Sequence, residues 1–284
     1  MPVKILRLGY SEITLLFIYW LSKNVDKNIN NKFIISKQCI LKWFYTTSGY
    51  YNKNITYIGH KNISDIIVEH TDDDVYTTYM NTLFEIINQS EFMFHTPQVQ
   101  FPDCPEINLF KEYLNIQNKH ETQQIVFDFI ENKKILIISP FSPLIKLQLE
   151  NGNCKIIYDT TPTIKNISIY KFPYTFFNNG LHNNILETST IIFNEIVDTI
   201  HDYDSVLISC GAYGCLMAKK FYDIDKNVCV VGGNLTCWFG ISNERHNNIC
   251  QQFNLKKNNK EHWITIPDEY KPTGYEQIEG GCYW

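Results

Sequence analysis

The sequence lacks several of the arrangements that most directly reveal a function. None of its nine cysteines, scattered from Cys39 to Cys282, is paired at C-x-x-C spacing, and no zinc-site spacing is present. Unpaired cysteines fit a reducing compartment. Cys210, Cys215, Cys229 and Cys237 fall in or beside expected core elements, where reduced cysteine acts as a small hydrophobe. No catalytic cysteine stands out. Basic blocks are missing as well: a net charge of −5, spread along the chain, argues against nucleic acid as the main partner. No G-x-G-x-x-G dinucleotide fingerprint occurs. No transmembrane span is visible, because Ile13 to Leu21 gives an apolar run of only nine residues and a spanning helix needs about 20. Lys4 and Arg7 precede that run as in a signal peptide, but Glu12 at its mouth and Ser22-Lys23-Asn24 after it do not suit a cleavable signal. A buried first helix is expected there.

What is present suits an α/β protein. At 284 residues and 44% hydrophobic, the chain can bury a large core. Its richness in Asn, Ile, Lys and Tyr is the bias of an AT-rich genome, so the sequons at Asn54, Asn166 and Asn234 read as accidental. The first third looks helical, with Ile13 to Lys23 and Ser36 to Tyr45 as candidates. Asp72-Asp73-Asp74 open a third helix carrying Val75, Tyr79, Leu83, Phe84 and Ile87, and this helix start outweighs a metal-site reading of the acidic run. Pro97, Pro102 and Pro105 mark an irregular connection. From Lys134 onward, strands are expected at Ile135–Ser139, Cys154–Tyr158, Ile167–Tyr170, Val206–Ser209 and Val228–Val231. Ser142 is the expected cap of a helix with Pro143 at its first position, and Leu186–His201 is a longer helix. The whole reads as one domain over 1–284: helix-rich 1–130, a Rossmann-like, mainly parallel core over 131–245, and a tail over 246–284.

The densest signal runs from Asp204 to Lys219. A buried strand enters a turn bearing Gly211 and Gly214, a helix follows, and the next strand ends in Gly232-Gly233. Glycines let backbone N–H groups approach a phosphate, and the helix adds the positive end of its dipole. A tight turn without ligand is the plainer alternative. At the amino terminus, Arg7-Leu-Gly9-Tyr10-Ser-Glu12 forms a second strand-to-helix turn. Arg7 could serve a phosphate and Glu12 a metal or a proton, or the two could simply pair with each other. Arg245 could clamp a diphosphate or sit on the surface near Glu244, and neighbouring His246 reads as a surface histidine. Tyr213 could stack on a base or pack against its helix. Tyr283 and Trp284 are expected to fold back or reach an interface.

The R-x-G-x-x-E turn resembles the R-F-G-D-G-E element of glycosyltransferases of the GT-D fold class. A closer resemblance is to a group of predicted bacterial and large-virus proteins akin to that class. It is carried by Lys134–Phe141 with Gln148 after it, by Gly211-Ala212-Tyr213-Gly214, and by Gly232-Gly233-Asn234-Leu-Thr-Cys-Trp-Phe-Gly-Ile241 followed by Arg245. The terminal Glu279-Gly-Gly-Cys-Tyr-Trp284 belongs to it too. The matching blocks cover about half the chain. The resemblance implies a nucleoside-diphosphate sugar as donor and a glycan or protein as acceptor. It implies catalytic roles for Arg7, Glu12 and Arg245, and donor contacts from Gly9, Ser139, Gly211 to Gly214 and Gly232 to Asn234. One position departs: Tyr10 stands where the class has a metal-binding Asp, so an expected Mn or Mg ion would have Glu12 alone of the pair. That departure favours the alternative, a nucleotide- or sugar-binding structural or assembly protein without turnover. A large-virus or parasite origin would place the protein in a host cytoplasm, and a homo-oligomer fits the sequence equally well.

Overall fold

Apolar runs bounded by turns become the middle strands of one sheet, buried on both faces. The structure is a computed structural model that describes residues 2–24, 73–94, 106–115, 117–175, 182–244, 260–277 and 279–284. Strand β1 (Lys4–Leu6) leads into helix α1 (Tyr10–Asn24). Helix α2 (Asp73–Asn88), strand β2 (Phe92–Phe94), helix α3 (Glu106–Leu114) and strand β3 (Asn118–Lys119) follow. Helix α4 (Gln123–Ile130), strand β4 (Lys133–Ser139), helices α5 (Ser142–Glu150) and α6 (Asn153–Tyr158), and strand β5 (Ile164–Lys171) come next. Helix α7 (Ile185–Thr199), strand β6 (Ser205–Ile208), helix α8 (Tyr213–Tyr222), strand β7 (Asn227–Val230) and the short helix α9 (Leu235–Trp238) complete the main layer.

The seven strands lie in the order β3-β2-β1-β7-β6-β4-β5, and every pairing is parallel. This is a Rossmann-like α/β fold. The helix-rich segment 1–130 also supplies β1, β2 and β3, so β1 lies inside the sheet, paired with β2 and β7. Side chains alternate across the sheet as the strand period of two requires. Leu6, Leu136, Ile138, Val206, Ile208, Val228 and Val230 join the core beneath α1, α2, α7 and α8. Ile5, Ile135, Ile137, Leu207 and Cys229 join the core beneath α4, α5 and α9. A parallel sheet covered on both faces reads as continuous apolar sequence for this reason. From the Ile13–Leu21 run, Ile13, Leu15, Leu16, Phe17, Tyr19 and Trp20 of α1 are buried. Among the described residues, no helix is long and apolar enough to cross a membrane.

Two expectations are corrected. Cys154–Tyr158 is not a strand but helix α6, and therefore no part of the sheet. Its buried residues are Cys154, Ile157 and Tyr158, a helical spacing that a five-residue run hides. Ser142 is not the cap of α5, because Phe141 holds that position and the Ser142 hydroxyl donates to the Tyr170 carbonyl at 2.9 Å. The expected helix at Ser36–Tyr45 lies outside the described residues. The polar tail forms a small second sheet, in which β8 (Ile241–Ser242) pairs in parallel with β9 (Ile264–Thr265).

Lys4 is an unusual residue for an interior strand. It is 1% exposed, its Nζ donates to Gln89 Oε1 at 3.0 Å, and it lies over the Tyr222 ring. Burial, helped by the charge of Lys219, lowers its pKa to about 8. A lowered amine pKa means the folded state resists the charged form. The cost is full below about pH 8 and is relieved as pH rises toward the unfolded value of 10.5. Lys4→Met should therefore be the more stable protein at pH 7, by about 1 kcal/mol. Denaturant titrations should show that advantage shrinking between pH 8 and pH 10; an advantage independent of pH would refute the assignment.

Candidate functional site

Because all strands run the same way, the carboxyl ends of β1, β7, β6 and β4 open on one edge, in that spatial order. Arg7 follows β1, Gly232-Gly233-Asn234 follow β7, and Gly211 to Gly214 follow β6. Ser139 ends β4. Ligands of open α/β sheets gather at such an edge, where successive connections leave toward opposite sides.

The two glycine turns are tied together. Ser209 Oγ donates to the Gly232 carbonyl at 3.0 Å, and Val231 N donates to the Ile208 carbonyl at 2.8 Å. From α2, the Tyr79 hydroxyl reaches across to donate to the Ala212 carbonyl at 2.8 Å. Gly211 is exposed, has φ +58°, and has nothing within 4 Å of the place a Cβ would take. It is the open part of the turn. Gly214 is buried, and a Cβ there would stand 2.9 Å from Val230 Cγ1. Its lack of a side chain lets α8 pack closely on β7. Gly214→Val should accordingly destabilise the protein by about 2 kcal/mol through overpacking. Thermal denaturation would show this directly, and an unchanged midpoint would mean that the helix is not held so tightly.

Arg7 and Gly232 form the closest juxtaposition of the edge. A Cβ on Gly232 would overlap the Arg7 guanidinium, so the turn after β7 is shaped around that side chain. Arg7 does not pair with Glu12. Its Nε lies 3.0 Å from Oε2 of Glu121, a carboxylate only 6% exposed, while Glu121 Oε1 accepts from Trp238 Nε1 at 3.0 Å. Glu12, in the first turn of α1, folds its carboxylate back over Gly9 so closely that a Cβ on Gly9 would overlap it.

Other expected site residues have structural surroundings. Ser139 is buried and its Oγ accepts from Phe141 N at 3.2 Å. Ala212 is buried, and so is Tyr213, whose ring centroid lies 5.1 Å from that of Phe172. Of the two roles open to Tyr213, burial agrees with packing. Gly233 and Asn234 are half-buried at the edge. Arg245 and His246 lie outside the described residues, as does the Tyr10 side chain. Burial pushes the Cys210, Cys215 and Cys229 thiols well up, and the charge of Glu12 adds to the effect at Cys215. These thiols stay protonated at neutral pH and are poor nucleophiles.

Two conspicuous sequence blocks prove to hold the fold. Gly240 has φ +70°, and a Cβ there would come within 2.8 Å of Gln148 Nε2. That amide donates to the carbonyls of Gly240 at 2.7 Å and His262 at 3.0 Å, joining α5 to the small sheet. At the terminus, Trp284 Nε1 donates to Tyr174 Oη at 3.1 Å, and the two rings pack at 5.8 Å. The tail thus folds back beside the end of β5.

A hard cation needs several oxygen ligands. Among the described residues, no group of three or more His, Cys, Asp or Glu could hold a metal ion. Glu12 is the one acid of the amino-terminal turn, and Glu121 is already committed to Arg7 and Trp238. These residues do not fit an Mn or Mg site. Glu121, Trp238 and Tyr79 were not visible as site residues in the sequence, since nothing local links position 7 to 121, or 79 to 212. The chain matches no protein-family model, and no curated protein or solved structure matches it.

Proposed function

We propose that this protein is a nucleotide-sugar-dependent glycosyltransferase acting on a glycan or glycoconjugate. The observation that carries the reading is the meeting of Arg7 with the Gly232 turn, beside the open Gly211 turn, at adjacent carboxyl ends of a parallel sheet. Backbone N–H groups at Gly211 and at Gly232 to Asn234 would receive the diphosphate, with the start of α8 adding its dipole. Arg7 would offset the charge that grows on the leaving diphosphate as the bond from the anomeric carbon to its oxygen breaks. Glu12 would take the proton of the acceptor hydroxyl as that oxygen bonds to the anomeric carbon. The resemblance in the Gly232–Ile241 run supports the same class.

A second reading, a nucleotide- or sugar-binding protein without turnover, is favoured because the amino-terminal turn carries one acid, Glu12, with Tyr10 at the position of the other. A thermal-shift screen of UDP-, GDP- and dTDP-sugars tests the shared premise. A donor present at 100 times its dissociation constant should stabilise the fold by about 2.7 kcal/mol. No shift with any donor would reject both readings.

A further inference from the structure

We infer that Glu121 is the positioning residue of Arg7, holding its guanidinium on the Gly232 turn so that the remaining N–H donors receive a phosphoryl group. This rests on the reading of the edge as a diphosphate site. Three segments far apart in the chain converge here. Glu121 directly precedes Thr122, the cap of α4, whose hydroxyl accepts from Ile125 N at 3.3 Å. Trp238 is fully buried, and its carbonyl accepts from Gln123 Nε2 at 2.8 Å. Glu121 is therefore fixed at its backbone by α4 and at Oε1 by the indole. A nearly buried carboxylate is costly unless paired, so its second oxygen requires the cation beside it.

Arg7 in turn cannot swing freely. Its Nε stands 3.0 Å from Glu121 Oε2, an ion pair in which that oxygen accepts no hydrogen bond, and the guanidinium fills the volume denied to a Gly232 side chain. The Arg7 side chain is 23% exposed. Arginine has five N–H donors in a rigid fork. Those not turned to Glu121 have no protein partner among the described residues. A guanidinium held beside Glu121, with its other donors unpaired among the described residues, suits the tetrahedral oxyanion of a diphosphate. An ion pair made only for stability would need neither the open donors nor the glycine.

The test is a double-mutant cycle read by calorimetric titration of inorganic pyrophosphate and, separately, UDP. Glu121→Gln keeps an acceptor for the Trp238 indole but removes the charge that fixes Arg7. It should weaken pyrophosphate binding about tenfold or more, and Glu121→Asp should recover part of the loss. In an Arg7→Gln background, Glu121→Gln should cause no further loss, because the group it positions is gone. Equal losses in both backgrounds, or unchanged affinity in folded Glu121→Gln, would overturn the inference. Should Glu121→Gln fail to fold, Arg7→Lys decides: it keeps the charge but not the fork, so a comparable loss is expected, and retained affinity overturns the inference. A wild-type protein that binds neither probe would instead reject the diphosphate reading itself, whereas binding without sugar transfer would reject only the enzymatic function.

Discussion

Replacing Gly232 with alanine is expected to weaken nucleotide binding by about 100-fold and to destabilise the fold by about 3 kcal/mol. The added Cβ would take the space of the Arg7 guanidinium, so Arg7 must leave. Its departure would leave Glu121, 6% exposed, with an uncompensated charge. Breaking a buried pair by removing one partner is far more damaging than replacing both. Two comparisons isolate this cause. Gly211→Ala meets no atom within 4 Å, so it should cost only the left-handed backbone penalty, about 1–2 kcal/mol, and leave Arg7 in place. Arg7→Ala combined with Gly232→Ala should relieve the steric conflict without restoring binding. Denaturation and nucleotide titration of the three variants would check the pattern. A Gly232→Ala protein as stable and as competent as the wild type would show that Arg7 is not lodged on this turn.

Glu12→Gln should lower turnover by about 100-fold or more while changing nucleotide affinity less than twofold. The change is nearly isosteric, so the side chain can keep its place over Gly9 while its capacity to accept a proton is lost. Were Glu12 serving only the dipole of α1, the substitution would cost at most about 1 kcal/mol and leave turnover intact. Steady-state kinetics with a donor chosen by binding separates the two. Arg7 pairs with Glu121, so Glu12→Gln leaves that ion pair in place.

The sequence revealed the middle of the sheet better than its margins. Ile135–Ser139, Val206–Ser209 and Val228–Val231 are apolar runs ended by turn residues, and all three became adjacent parallel strands. Cys154–Tyr158 looked the same over five residues but packs only one side, as a helix does. The strands β2 and β3 span three and two residues, too short for any period to show. At the site, the glycines could be seen but not told apart. Gly211 is open, Gly214 serves helix packing, and Gly232 makes room for an arginine. Those differences are set by neighbours more than fifteen residues away, as is the choice of Glu121 over Glu12 as the partner of Arg7. Gln148 and Gly240 likewise read as motif residues, and only their hydrogen bond shows that they join the core to the tail.

The most direct measurement is release of nucleoside diphosphate from a donor that binds, followed with a panel of glycan and protein acceptors. The account predicts acceptor-dependent release by the wild-type protein, reduced about 100-fold in Glu12→Gln and in Gly232→Ala. A donor that binds at the Arg7–Gly232 edge, yet is never turned over with any acceptor, would contradict the proposed glycosyl transfer and leave a nucleotide-binding protein in its place.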